Sequence, residues 1–90
     1  MGTIYRLRKD ELTWREAGDV VVVLDLADSS YLSIGGSGRV LWNRLESGAT
    51  VDQLVDALVE VFDIDDATAR ADTLAFVDSL TERRLLSVVG

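Results

Sequence analysis

The most constraining stretch of the sequence is a short alternating segment, residues 30–34, that passes through a glycine-rich turn at residues 35–38 into an amphipathic segment. Alternation of polar and apolar residues predicts a strand, whereas apolar residues spaced by three and four predict a helix. Mostly strand-like patterns precede this junction, and mostly helical patterns follow it. The sequence therefore predicts an α+β protein with its strands first and its helices last.

Three strands are predicted before the junction. Residues 12–15 alternate, and residues 20–26 include four consecutive valines, which fit a pleated sheet better than a helix. After turns at 16–19 and 27–30, the third strand follows over 30–34. Short connections favour an antiparallel meander with residues 20–26 at its centre, which leaves the third strand at an edge with unpaired backbone groups. Residues 4–8 give a weaker signal for a further edge segment.

Three helices are predicted after the junction, over about 38–45, 50–62 and 65–84. Gly48 ends the first helix, and Thr50 with Gln53 forms a capping box at the start of the second. Asp65 or Asp66 caps the third. The second helix has one continuous apolar face, formed by Val51, Leu54, Val55, Leu58, Val59 and Phe62. Residues 85–89 finish in an extended form that is compatible with a short strand.

Composition limits the function classes. The 90 residues, 48% of them apolar, suffice for one domain with a real core. The sequence has no cysteine and no histidine, which excludes disulfides and cysteine metal sites and removes the commonest general base. Catalysis by the usual routes is therefore not expected, and no cofactor is predicted. Trp14 and Trp42 are predicted to be core anchors.

Charge and hydropathy bear on partners. The net charge of −7 repels a nucleic acid backbone. No apolar run approaches the length that spans a membrane, and the first residues lack the apolar core of a signal peptide. A soluble cytoplasmic domain that binds neither nucleic acid nor membrane is expected.

Acidic residues near the third helix resemble calcium ligands only superficially. Counted from Asp63, the sixth position of a calcium loop would need glycine and has Thr68, and the twelfth would need glutamate and has Leu74. These acidic residues, among them Asp65 and Asp66, are interpreted as helix caps and solvent-facing charges. No metal site is predicted.

The third helix has two apolar stripes. The stripe Ala67, Ala71, Leu74 and Val77 is assigned to the core, and the second stripe is Ala69, Thr73, Phe76 and Leu80. Two interpretations of the second stripe stay open. Either the helix is sandwiched between the other helices and the sheet, or this stripe forms the wall of a groove beside the edge strand. Such a groove would suit a peptide that adds its backbone to the strand.

Several segments, taken in order, resemble the PqqD-like pattern of recognition elements for ribosomally made, post-translationally modified peptides. These segments are Tyr31–Ile34, Val40–Leu45, Thr50–Leu54, Phe62–Asp65, Phe76–Leu80 and Leu85–Leu86. The resemblance covers roughly residues 12–89. Two departures are residues 34–38, where the family commonly has Leu-Asn-x-x-small, and Arg84, where it often has glycine.

The resemblance implies a winged helix-turn-helix-like domain that pairs a precursor leader with the third strand, against the third helix. A free-standing chain of this size is most similar to the version found in lasso-peptide pathways, which presents the leader to a separate leader peptidase and a macrocyclase. By resemblance and helix geometry, the predicted peptide-binding residues are Ser30, Tyr31, Leu32, Ser33, Ile34, Asp72, Thr73, Phe76 and Leu80.

Two alternative functions stay open. The first is a PqqD-type peptide chaperone that serves a radical maturation enzyme, which would share the binding mode and differ in its partner. The second is a winged-helix DNA-binding protein. DNA binding is disfavoured because phosphate contacts need clustered basic residues. The third helix instead mixes Arg70, Arg83 and Arg84 with Asp66, Asp72, Asp78 and Glu82.

Overall fold

Five strands and three helices make up the fold, in a computed structural model that describes residues 2–10 and 12–89. The elements are, in order, β1 (Ile4–Leu7), β2 (Leu12–Ala17), β3 (Val20–Asp25), β4 (Ser30–Gly35), α1 (Ser37–Ser47), α2 (Val51–Phe62), α3 (Asp66–Glu82) and β5 (Leu86–Val89). The predicted order of three strands followed by three helices is confirmed, with β1 and β5 added at its two ends.

The main sheet is an antiparallel meander in the order β2–β3–β4. Its central strand, β3, pairs Val23 with Trp14 of β2 on one side and with Leu32 of β4 on the other. The central position of β3 and the edge position of β4 are therefore as predicted. Strand β2 is longer than predicted, because the connection to β3 is a tight turn at Gly18 and Asp19, where Gly18 adopts a positive φ of 64°.

The core lies between the inner face of this sheet and the helices. Trp42 of α1 is fully buried and meets half-buried Trp14 edge-to-face, with ring centroids 5.4 Å apart. Both tryptophans thus anchor the core as predicted. The other buried apolar residues of the sheet, α1 and α2 are Val21, Val23, Ile34, Leu41, Leu45, Leu54, Val55, Ala57 and Leu58.

Local sequence signals set the helix ends. Helix α1 ends at Gly48, whose φ of 101° is unfavourable for residues with a side chain. The predicted capping box is present, because the Gln53 N–H donates to Thr50 Oγ1 at 3.2 Å while the Thr50 N–H donates to Gln53 Oε1 at 2.9 Å. Asp65 is the N-cap of α3, and it accepts hydrogen bonds from the N–H and the hydroxyl of Thr68.

The assignment of the α3 stripes is wrong. Ala69, Thr73, Val77 and Leu80 are the buried residues of α3, whereas Ala67, Ala71 and Leu74 are exposed. The supposed second stripe is therefore mostly the core face. Alanines are spread around much of α3, so the spacing of apolar residues did not distinguish the two faces. Burial leaves Thr73 Oγ1 and Trp42 Nε1 without hydrogen-bond partners in the described part of the chain.

A second, two-stranded sheet pairs β1 with β5, from Ile4 opposite Val89 to Leu7 opposite Leu86. Residues 4–8 and 85–89 were each compatible with a strand, but their pairing was not predicted. Tyr5 also exchanges two backbone hydrogen bonds with Ala49, of 2.8 and 2.9 Å. This β1–β5 ribbon is therefore fastened to the connection between α1 and α2. Within the described residues, no helix combines the length and the apolar character needed to cross a membrane.

Candidate functional site

Strand β4 offers an open edge. It pairs with β3 on one side, and no other strand of residues 2–10 and 12–89 pairs with its opposite side. In an antiparallel strand, alternate residues direct their N–H and C=O groups to each side. The six residues of β4 therefore present a ladder of backbone donors and acceptors about 20 Å long. An extended segment of another chain can pair there.

The side chains of β4 alternate between the two faces of the sheet. Leu32 and Ile34 face the core, and Ile34 is only 6% exposed. Tyr31 faces the opposite way and is 73% exposed, beside Leu24 on β3, which is 46% exposed. The outer face of the sheet thus presents apolar side chains next to the open edge.

Helix α3 lies beside β4 at one end through Phe76. A Cβ atom added at Gly38 of α1 would lie 2.8 Å from Ile34 Cγ2 and 3.0 Å from Phe76 Cε1. The glycine therefore permits a close approach of α1, β4 and α3 at this point. Phe76 itself is half-buried, so part of its ring remains accessible.

At the other end of β4, a cleft separates the strand from the end of α3. Its floor contains buried Val23 and Leu85 together with half-buried Leu32. The remaining lining residues are Asp25, Asp28, Ser30, Tyr31 and Arg83. An adjoining cleft shares Asp25, Asp28, Arg83 and Leu85 and adds Arg8, Leu12, Ala27 and Arg84. The cleft has an apolar floor and a rim with charges of both signs.

These contacts define one side of α3 as a wall along β4. Phe76 lies near Ile34 and Arg83 lies near Ser30, so α3 and β4 run in opposite directions. Helical periodicity places Asp72 and Ser79, both exposed, on the same side of the helix. The open edge of β4 and this α3 wall together form what we term the β4–α3 groove.

The predicted binding residues divide into two groups. The backbone of residues 30–34 and the side chains of Asp72 and Phe76 lie along the groove, and their roles remain predictions. Thr73 and Leu80 are 0% and 2% exposed, so the prediction that their side chains line a groove is wrong. Both side chains belong to the face of α3 that packs into the core.

Sequence reasoning missed Asp25 and Arg83 as parts of the same surface. The sequence places Arg83 only among the mixed charges of the third helix. Its spacing of seven residues from Phe76, two helical turns, was the available signal that both lie on one side. Asp25 carried no local signal, because its neighbourhood depends on the pairing of β3 with β4.

Two electrostatic observations concern the described residues. They contain no group of three or more acidic side chains arranged to hold a metal ion. Hydrogen bonds from Thr68 lower the pKa of Asp65, but this carboxylate serves to cap α3. What the structure shows in the groove is the open backbone edge of β4.

Comparisons with known proteins found one family model and similar solved structures. The family model described as coenzyme PQQ synthesis protein D (PqqD) matches residues 21–86. One similar solved structure is TbiB1 in complex with the TbiA(beta) leader peptide, at 27% identity and a TM-score of 0.82, covering 91% of this chain and 94% of that one.

A second similar structure is lasso peptide synthetase B1 complexed with the leader peptide. Its identity is 23% and its TM-score 0.80, with 92% of this chain and 96% of that chain covered. No curated protein sequence matches this chain significantly. The structural matches confirm the predicted α+β fold and the winged helix-turn-helix-like arrangement.

Proposed function

Because the chain belongs to the PqqD family, we propose that it binds the leader segment of a ribosomally made precursor in lasso-peptide biosynthesis. The observation that carries this proposal is the open edge of β4 beside the α3 wall. The similarity to TbiB1, whose structure contains a leader peptide, supports it.

Strand addition explains how such a site works. The leader extends the β2–β3–β4 sheet by one strand, and its backbone pairs with the N–H and C=O groups of β4. Its side chains then alternate, one set towards the α3 wall and the other beside Tyr31 on the outer face. Backbone pairing supplies affinity, and a few side-chain pockets supply specificity.

The proposed role is to hold and present the leader rather than to catalyse. We expect a separate leader peptidase and a macrocyclase to act on the bound precursor, in the cytoplasm where ribosomes supply it. The exposed apolar pair Leu24 and Tyr31 supports presentation, because Tyr31 would adjoin the added leader strand and Leu24 lies next to Tyr31 on the same face. A second protein can contact the sheet and the leader together at that place. A radical maturation enzyme is the alternative partner.

The direct test is a fluorescence-polarisation titration with the labelled leader peptide encoded beside this protein, and with labelled duplex DNA as the control. Saturable binding of the leader and no comparable binding of DNA is the expected result. Absence of leader binding would show that the family likeness reflects the fold and not the function. Adding the candidate peptidase and following cleavage of the precursor tests the presentation step.

Strand addition has its own signature. A leader peptide N-methylated at one residue at a time loses one backbone donor per peptide, so binding should weaken at every second position within the paired segment. Uniform sensitivity, or none, would argue against pairing with β4. This series separates strand addition from simple hydrophobic docking.

The α3 wall is tested with two matched substitutions. Phe76→Ala should weaken leader binding about tenfold, because part of the ring would lose contact with the peptide. Leu74→Ala removes a side chain that is 45% exposed on the far side of the same helix and should leave affinity unchanged. Equal effects of the two substitutions would place the groove elsewhere.

A further inference from the structure

We propose that the cleft at the start of β4 recognises a basic side chain of the leader peptide, with Asp25 as the residue that determines this specificity. This inference rests on the proposed function, because it assigns a ligand to one end of the β4–α3 groove. We call the site the Asp25 cleft and define it by Val23, Asp25, Asp28, Leu32, Arg83 and Leu85.

Asp25 occupies a position that an apolar residue would ordinarily fill. It continues the row of inward-facing residues Val21 and Val23 on the central strand, opposite Leu12 on β2 and Ser30 on β4. The carboxylate is half-buried, and a half-buried charge loses part of its hydration. A cation from a bound peptide would offset that loss.

The hydrogen bonding of Asp25 leaves capacity for a ligand. Its Oδ1 accepts the Ala27 N–H at 3.0 Å, which orders the turn after β3. Among the described residues it forms no ion pair. Because an ionised carboxylate has about four acceptor sites, Asp25 can still accept hydrogen bonds from an ammonium or guanidinium group.

The shape of the cleft suits a long basic side chain. Leu32 and Leu85 provide an apolar floor for the methylene stem, while the charged head reaches the rim. Asp28 on the rim contributes a second carboxylate beside that of Asp25. The C-terminal end of α3 adds partial negative charge. The net charge of −7 attracts a basic peptide from a distance.

Arg83 provides the counter-test. It lies on the rim with Asp25 and Asp28, so it opposes a bound cation and would favour an acidic side chain instead. Inside the Asp25 cleft two carboxylates face one guanidinium, while Arg8 and Arg84 line the adjoining cleft. We assign a basic ligand on this local balance and on the half-buried carboxylate of Asp25, which forms no ion pair among the described residues. The two assignments predict opposite signs for the same pair of substitutions.

The experiment titrates wild-type protein, Asp25→Asn and Arg83→Gln with the encoded leader peptide and with versions in which each Lys or Arg is replaced singly by Gln. Asn keeps the oxygen that accepts the Ala27 N–H, so the turn is retained. Asp25→Asn should weaken binding of the native leader about five- to tenfold, between the effects typical of exposed and of desolvated ion pairs. Arg83→Gln should strengthen it about twofold.

One peptide variant identifies the partner. Replacing the recognised Lys or Arg by Gln should weaken binding to the wild type, and Asp25→Asn should then have no further effect. Asp78→Asn, an equal charge change at an exposed position of α3 away from the groove, is the matched control and should change affinity little. Urea unfolding of each variant checks that the fold is kept.

Several results would overturn the inference. Equal losses of leader affinity in Asp25→Asn and Asp78→Asn would show a general effect of net charge and not a specific site. Weaker leader binding by Arg83→Gln would indicate that the cleft takes an acidic side chain. Tight binding of a leader whose basic residues can all be replaced without loss would also refute it. In each of these cases leader binding itself survives, whereas a wild type that binds no leader refutes the proposed function and this inference together.

Discussion

Thr73 is the residue whose substitution most sharply tests the structure. Its side chain is fully buried on the core face of α3, and its hydroxyl has no hydrogen-bond partner among the described residues. We predict that Thr73→Val stabilises the protein. Valine has nearly the same shape and is also β-branched, so packing and helix propensity change little.

The magnitude follows from the cost of burying an unpaired hydroxyl, about 1–3 kcal/mol. Replacing it by a methyl group removes most of that cost. For a domain of this size, 1 kcal/mol shifts the thermal midpoint by about 4–8 °C. We therefore expect the midpoint of Thr73→Val to rise by at least about 4 °C.

The assays are thermal unfolding, which gives the midpoint, and urea unfolding, which gives the free energy, both followed by tryptophan fluorescence and with Thr81→Val as the control. The Thr81 hydroxyl donates to the Val77 carbonyl at 2.7 Å, so its removal should destabilise by about 0.5–1.5 kcal/mol. Destabilisation by Thr73→Val would show that its hydroxyl is hydrogen-bonded after all, for instance to a buried water. Thr73→Val should leave leader affinity unchanged. A loss of affinity without a loss of stability would show that Thr73 contacts the peptide.

Three further predictions concern caps and surfaces. Asp65→Ala should lower the urea midpoint at pH 7 through loss of the α3 cap. Hydrogen bonds from Thr68 hold the folded-state pKa of Asp65 below its unfolded value, so the difference from wild type should be fully present above the unfolded pKa and fade as the pH falls through the folded one. Gly48→Ala should lower the free energy of unfolding, measured in urea, by about 1 kcal/mol or more. The reasons are that Gly48 has a φ of 101° and that the added Cβ would lie 3.2 Å from Arg6 Nε. Leu24→Lys should slow cleavage of the precursor by the peptidase and leave leader affinity unchanged in polarisation titrations, because it alters only the outer face; an equal loss in both assays would contradict presentation through that face.

Local signals predicted most of the fold. The valines of β3 specify a strand, and the capping box of Thr50 and Gln53 fixed the start of α2. The pairing of β1 with β5 could not be predicted in this way, because the sequence of a short strand does not indicate which distant strand it pairs with. The edge position of β4 followed correctly from short connections between strands.

The site was predicted in its backbone and only partly in its side chains. Residues 30–34 lie along the groove, but the side chains of Thr73 and Leu80 are buried in the core. The orientation of α3 is decided by contacts between distant elements, such as the approach of Phe76 to Gly38. Small alanine side chains fit either a buried or an exposed face, so periodicity alone could not choose between them.

The β1–β5 ribbon also bears on the order in which the protein folds and opens. It joins residues 4–7 to residues 86–89, so closing it costs the entropy of a loop that contains nearly the whole described chain. An isolated two-stranded ribbon is marginally stable. We expect it to form late and to open first, so its amides should exchange with solvent through local fluctuations. Amides of β3 should exchange only on global unfolding. The β4 edge would then stay intact while the β1–β5 ribbon opens and closes locally.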